Sequence, residues 1–113
     1  MSVSTKGFGE NVLTLKTNGS LKAGVPVKMS ANDTVVAATA DSRFCGVSVS
    51  VDGGYAAVQL TGAVTLPYTG TAPTVGYSAI AADGNGAVTA NAKGGTYLVF
   101  NVNTTAKTVS FML

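Results

Sequence analysis

The chain has 113 residues, 46% hydrophobic and only 11% charged, with seven basic against five acidic side chains and a net charge of +2. That length suits one domain with a buried core, and so apolar a composition excludes wholesale disorder. The cations are scattered singly and Arg43 is the one arginine, which excludes the clustered basic surface that nucleic acid requires.

Residues 1–11 read as a flexible arm ahead of a single β domain over 12–113. The arm is polar and interrupted by glycine, and it lacks the charged start and apolar stretch of a signal peptide. The chain is therefore expected to be made in a cytoplasm. No stretch approaches the roughly 18 apolar residues of a membrane helix, and no membrane partner is expected. An arm of this kind can add a strand to a neighbour's sheet edge. Its candidate partner-binding residues are Val3, Thr5, Lys6 and Phe8, with Val3 or Phe8 filling a pocket. A frayed tail with no role is the alternative.

Beyond the arm, Asn18-Gly19 and Asn32-Asp33 mark reversals. The Ala-rich stretch 35–40 is too short for a helical stripe and is closed by Asp41-Ser42. Cys45 is the one cysteine, so no intrachain disulfide can form; within Phe44-Cys45-Gly46-Val47 it is expected to be buried and inert. Val47, Val49 and Val51 alternate with Ser48 and Ser50, the pattern of a half-buried strand. Asp52-Gly53-Gly54 supplies a hairpin turn before Ala56, Val58 and Leu60, which alternate with Ala57, Gln59 and Thr61. Tyr68 and Tyr77 flank a Thr-, Gly- and Pro-containing loop, with a ligand shelf as the alternative reading. Asp83-Gly84-Asn85-Gly86 separates strands at 77–81 and 87–90. Leu98, Phe100 and Val102 alternate with Val99, Asn101 and Asn103. After the turn at 103–107, Val109, Phe111 and Leu113 alternate with Ser110 and Met112. Short strands punctuated in this way predict an all-β fold, a small closed barrel or tight sandwich without a long helix.

A faint internal repeat runs through these strands at an offset of about 52 residues, long enough for a three- or four-strand unit. Ala23-Gly24-Val25-Pro26-Val27 is echoed by Val75-Gly76-Tyr77-Ser78-Ala79, Phe44 to Val49 by Tyr97 to Val102, and Val58-Gln59-Leu60 by Val109-Ser110-Phe111. Two such units closing on each other would remove exposed strand edges. Chance likeness between strand–turn–strand segments is the alternative, since strands use few residue types.

Residues that carry chemistry are scarce. There is no His, so the commonest general base and metal ligand is missing and no Ser can have an imidazole partner. Asp33, Asp52 and Asp83 sit where turns want an Asx side chain; Glu10 and Asp41 are the remaining carboxylates. Zinc is excluded by one Cys and no His, and the twelve-residue calcium loop with its closing Glu is absent. Gly84-Asn85-Gly86 does not open a helix, so it is not a nucleotide loop. No catalytic residue, cofactor or metal is expected.

From Lys22-Ala23-Gly24-Val25-Pro26-Val27 through Phe44-Cys45-Gly46-Val47, Ala57-Val58-Gln59-Leu60-Thr61-Gly62, Gly76-Tyr77, Gly84-Asn85-Gly86-Ala87-Val88 and Thr108-Val109-Ser110-Phe111, the chain resembles the small capsid decoration (head-stabilising) proteins of tailed bacteriophages. The likeness lies in the order of Gly and Val placements over about four-fifths of the chain. It implies a non-enzymatic structural protein on the virion exterior, whose partners are the major capsid protein and itself, as a homotrimer. The competing expectation is a virion-surface module that recognises a carbohydrate or a host-cell component.

Overall fold

Turn chemistry sets the strand boundaries. Gly53 and Gly54 (φ 59° and 83°) and Gly84 and Gly86 (both φ 89°) take backbone conformations that residues with a Cβ adopt only under strain. At the Asn32-Asp33 reversal Asp33 itself enters this region (φ 58°), which a short polar side chain tolerates. The computed structural model describes residues 11–17 and 20–113. Residues 1–10 of the predicted arm, with Val3, Thr5, Lys6 and Phe8, and the Asn18-Gly19 reversal lie outside the described residues. Between the turns, the described residues form ten strands: β1 (Asn11–Thr17), β2 (Pro26–Ala31), β3 (Thr34–Ala37), β4 (Gly46–Asp52), β5 (Tyr55–Thr61), β6 (Ala63–Pro67), β7 (Gly76–Ala82), β8 (Val88–Ala90), β9 (Gly95–Asn103) and β10 (Thr108–Met112). The fold is all-β, and no helix occurs among the described residues.

Strands β1 to β5 close into a barrel of order β1-β3-β2-β4-β5, in which β1 runs parallel to β3 and every other pair is antiparallel. Strands β6 to β10 form a second sheet of order β6-β10-β9-β7-β8. Its outer strands approach at one parallel bridge, Tyr68 to Val88, where the Thr69 N–H donates to the Val88 carbonyl at 2.9 Å. Substituting β6 for β1, β7 for β2 and so on turns one list of pairings into the other. The faint repeat in the sequence is therefore a repeat of topology: two five-strand units in tandem. Thr17 and Val35, bridged in the first unit, correspond to Tyr68 and Val88 in the second, an offset of 51 to 53 residues.

The register of the repeat differs from the one read in the sequence. Val27 opposite Ala37 corresponds to Ile80 opposite Ala90, one residue away from the predicted alignment of Val27 with Ala79. Leu13 opposite Val58 corresponds to Val64 opposite Phe111, so Val58 matches Phe111 and not Val109. A one-residue slip moves a strand's whole apolar set to the other face, which is why the difference matters.

Two β-bulges overturn the simple alternation. In β4 the register shifts between Ser48 and Ser50; in β9 the same irregularity leaves Phe100 without a cross-strand partner. Val49 and Phe100 occupy matching places, 51 residues apart, and both are exposed. Upstream of its bulge β4 turns Ser48 inward, where its hydroxyl donates to the Lys22 carbonyl at 2.7 Å. The predicted face Val47-Val49-Val51 is thus split: Val47 is buried on the opposite side of the strand from Ser48, and Val49 is turned out. Likewise Leu98 and Phe100 face outward and Val99 is wholly buried, the reverse of the expected alternation. An extra residue in a strand inverts the face of everything on one side of it.

Each unit has its own buried cluster. Leu15, Leu21, Val27, Val35, Ala56 and Val58 fill the first barrel. The larger cluster lies within the second sheet and includes Ile80, Val88, Val99, Val109 and Phe111. It also takes in Ala38, Phe44 and Val47 from the first unit, so the β3–β4 connection fastens one unit to the other.

Candidate interaction surface

The junction between the units is built by the segment leading into β4. Its backbone runs beside the end of β7: the Asp41 N–H donates to the Ala82 carbonyl and the Ala82 N–H donates to the Ser42 carbonyl, both at 3.0 Å. Asp41 takes φ 62°, and its carboxylate accepts from the Asn91 side-chain amide at 2.8 Å. This places Phe44 over the second unit's core. Its ring stacks on Tyr97 (centroids 5.2 Å apart, 13° between planes) and meets Phe111 edge-on at 6.1 Å. The Tyr97 hydroxyl donates to the Phe44 carbonyl at 3.1 Å and locks the arrangement.

Beside this aromatic group opens a cleft of about 420 Å³, lined by Lys28, Met29, Arg43, Phe44, Cys45, Leu60, Tyr97 and Leu113. Lys28 donates to the Thr39 hydroxyl at 3.1 Å, and among the described residues no acidic side chain lines the cleft. Cys45 departs from expectation: it is exposed, because Phe44 before it and Gly46 and Val47 after it are buried and leave this one residue facing out. Its thiol points to the Val27 carbonyl at 3.5 Å, and partial burial pushes its pKa above the ordinary 9.0. Burial also pushes the Tyr97 phenol up from 10.0, against the lowering effect of the Arg43 guanidinium beside it. Both groups are held in their protonated forms, the opposite of what nucleophile activation requires. The cleft offers positive charge over an apolar floor, a lining suited to binding.

The Asp83 carboxylate serves a turn. Asp83 accepts from the backbone N–H groups of Asn85 (2.7 Å) and Ala87 (3.0 Å) through one oxygen and from the Thr69 hydroxyl (3.1 Å) through the other. No group of three or more His, Cys, Asp and Glu that could hold a metal ion occurs among the described residues. Tyr68 is buried and Tyr77 is 79% exposed, so the two rings on either side of the loop do not form one shelf.

What the sequence reading missed is a row of apolar side chains on the outer face of the second unit. Tyr77, Leu98 and Met112 are direct cross-strand partners on β7, β9 and β10, and all three are exposed. Val75 before β7 and Phe100 at the bulge are exposed too. The first unit exposes Val12, Leu13, Met29, Val49 and Tyr55. Alternation alone could not reveal these faces, because the bulges decide which side of each strand turns outward. Neither a family model nor a curated protein matches the chain.

Proposed function

We propose that the protein is a non-enzymatic structural protein that binds the outer surface of a tailed-phage capsid and stabilises it, with the major capsid protein and further copies of itself, as a homotrimer, for partners. The observation that supports this reading is the exposure of large apolar side chains on several separate faces of a chain that is only 11% charged. Single exposed apolar residues are ordinary on a protein surface, but a cross-strand row such as Tyr77–Leu98–Met112 is a surface suited to being covered. A cement between capsid subunits touches more than one neighbour at a time, and apolar contact on several faces serves that role. The scarcity of charge has the same sense, since mixed charge is what keeps a free monomer apart from its neighbours. Recognition of a carbohydrate is the weaker reading, because Tyr68 and Tyr77 do not present two rings to one ligand.

Sedimentation of the protein with purified heads from the phage that encodes it tests the proposal. Saturable co-sedimentation, with heads that rupture at a higher temperature, is the expected result. Failure to bind heads together with retention on immobilised glycans would replace this function with the carbohydrate reading.

A further inference from the structure

The cleft beside Phe44 opens where the two units differ in strand pairing. In the second unit β7 and β9 stay paired from Gly76 opposite Val99 to Ile80 opposite Gly95. Their counterparts in the first unit, β2 and β4, pair only at Pro26 opposite Val47 and Val27 opposite Gly46, although β2 runs on beside β3 as far as Ala31. From Lys28 onward the edge of β2 toward β4 has no register partner, because the chain before Gly46 leaves to seat Phe44 in the second unit's core. The space left between the strands is the cleft of about 420 Å³, within the range of about 300–1,000 Å³ typical of small-molecule sites.

The lining of this space has a definite chemistry. Two of the chain's seven cations meet in it, among them the one arginine, and among the described residues no acidic side chain joins them. Asp41, two residues before Arg43, is committed to the Asn91 amide at 2.8 Å. Lys28 has a neutral partner, the Thr39 hydroxyl. The Arg43 guanidinium lies beside the Tyr97 hydroxyl, which is itself anchored on the Phe44 carbonyl at 3.1 Å. Gly95 makes room for this pair: a Cβ there would stand 2.9 Å from the Tyr97 Oη and 3.2 Å from the Arg43 Nε. Its φ lies outside the left-handed region, so space and not backbone conformation is what glycine supplies at this position. The rest of the lining includes the apolar side chains of Met29, Leu60 and Leu113, none of them buried.

We propose that the cleft binds a small organic carboxylate, its charge between Arg43 and Lys28 and its apolar body over Met29, Leu60 and Leu113. The planar guanidinium matches a carboxylate, and the lysine adds a compact charge that completes its neutralisation. An inorganic anion would leave the three apolar side chains in water, and a neutral apolar molecule would leave the cations unused. The cleft is half open and Arg43 is exposed, so the interaction is weak, with a dissociation constant on the order of 1 mM. The inference does not depend on capsid binding: Tyr97 in the cleft and Leu98 in the exposed row are successive residues of β9 and point to opposite faces.

Amide-resolved NMR titration of the full chain at neutral pH tests it, with phenylacetate as probe. Phenylacetamide keeps the body without the charge, and acetate keeps the charge without the body. Saturable shifts at Phe44, Cys45 and Tyr97 with phenylacetate are expected, and binding of the other two at least about tenfold weaker. Arg43→Gln weakens phenylacetate binding about tenfold and Lys28→Gln weakens it too, whereas Lys93→Gln, which removes a charge outside the cleft, leaves it unchanged. Amide spectra that match the parent chain away from the substituted residue establish that the variants fold. Absence of saturable shifts at the cleft as phenylacetate approaches its solubility overturns the proposal. So does phenylacetamide binding as tightly as phenylacetate, which would make the cleft an apolar groove, or an equal loss in Lys93→Gln, which would make the effect one of net charge. A blocked peptide with adjacent Phe and Glu that binds where phenylacetate does not would assign the cleft to a segment of a partner protein and likewise overturn it.

Discussion

Replacing Phe44 by Ala attacks the joint between the two units. Phe44 is 2% exposed, stacks on Tyr97 at 5.2 Å and meets Phe111 edge-on at 6.1 Å. Truncating a buried Phe to Ala costs about 3–5 kcal/mol, from lost burial and from the cavity left behind. The upper half of that range applies here, because the two ring pairs each add about 0.5–1.5 kcal/mol beyond area alone. Against a total stability of about 5–15 kcal/mol, a loss of about 4 kcal/mol is a large fraction. At roughly 4 °C per kcal/mol it lowers the thermal midpoint by about 15 °C. Urea titration followed by near-ultraviolet circular dichroism of the tyrosines measures the change. Phe100→Ala is the control: the same substitution at the bulge, where the ring is 37% exposed, costs less than about 1 kcal/mol. Equal losses for the two variants would refute the assignment of Phe44 to the core and of Phe100 to the outside, and with it the register of β9.

Gly94→Ala abolishes the stable fold, because an added Cβ overlaps the backbone of Ile80 and Ala81; failure of the variant to give a cooperative unfolding transition is the expected readout. Asp83→Ala costs about 2 kcal/mol in denaturant titration, since it leaves the Asn85 and Ala87 N–H groups without their acceptor, while Asp83→Asn, which keeps one carbonyl oxygen, costs less. Cys45 and Tyr97 hold their protons more tightly in the folded chain than in the unfolded one. The stability they contribute is therefore complete below 9.0 and 10.0 and is lost as pH rises through their higher folded values. Unfolding free energy measured from pH 8 upward falls in the parent chain, and Cys45→Ser and Tyr97→Phe each flatten part of that fall.

The strands and their turns were legible in the sequence because both depend on near neighbours. Asp52-Gly53-Gly54 and Asp83-Gly84-Asn85-Gly86 specify reversals through the φ values glycine permits, and each connects two strands in the structure. The length of the repeat was legible for the same reason. Its register was not, because one extra residue at Val49 and another at Phe100 invert the faces, and no local signal marks a bulge formed by Val or Phe. Cys45 was misplaced by its apolar neighbours: Phe44 and Val47 are buried against the other unit, a long-range contact that leaves the residue next to Phe44 facing solvent. The parallel pairing of β1 with β3 and the order of the strands likewise rest on contacts far apart in sequence. The exposed row Tyr77–Leu98–Met112 exists only once three strands are set side by side. The functional expectation rested on the order of Gly and Val placements, and the low charge count that goes with it is visible without knowing the fold.

Electron cryo-microscopy of heads assembled with and without the protein tests the proposed function most directly. The account predicts difference density at one repeated position on the outside of the capsid lattice, shaped as one small barrel and one further five-strand unit per chain and contacting both capsid subunits and neighbouring copies. Heads that are identical with and without the protein, or density confined to a tail fibre, would contradict it.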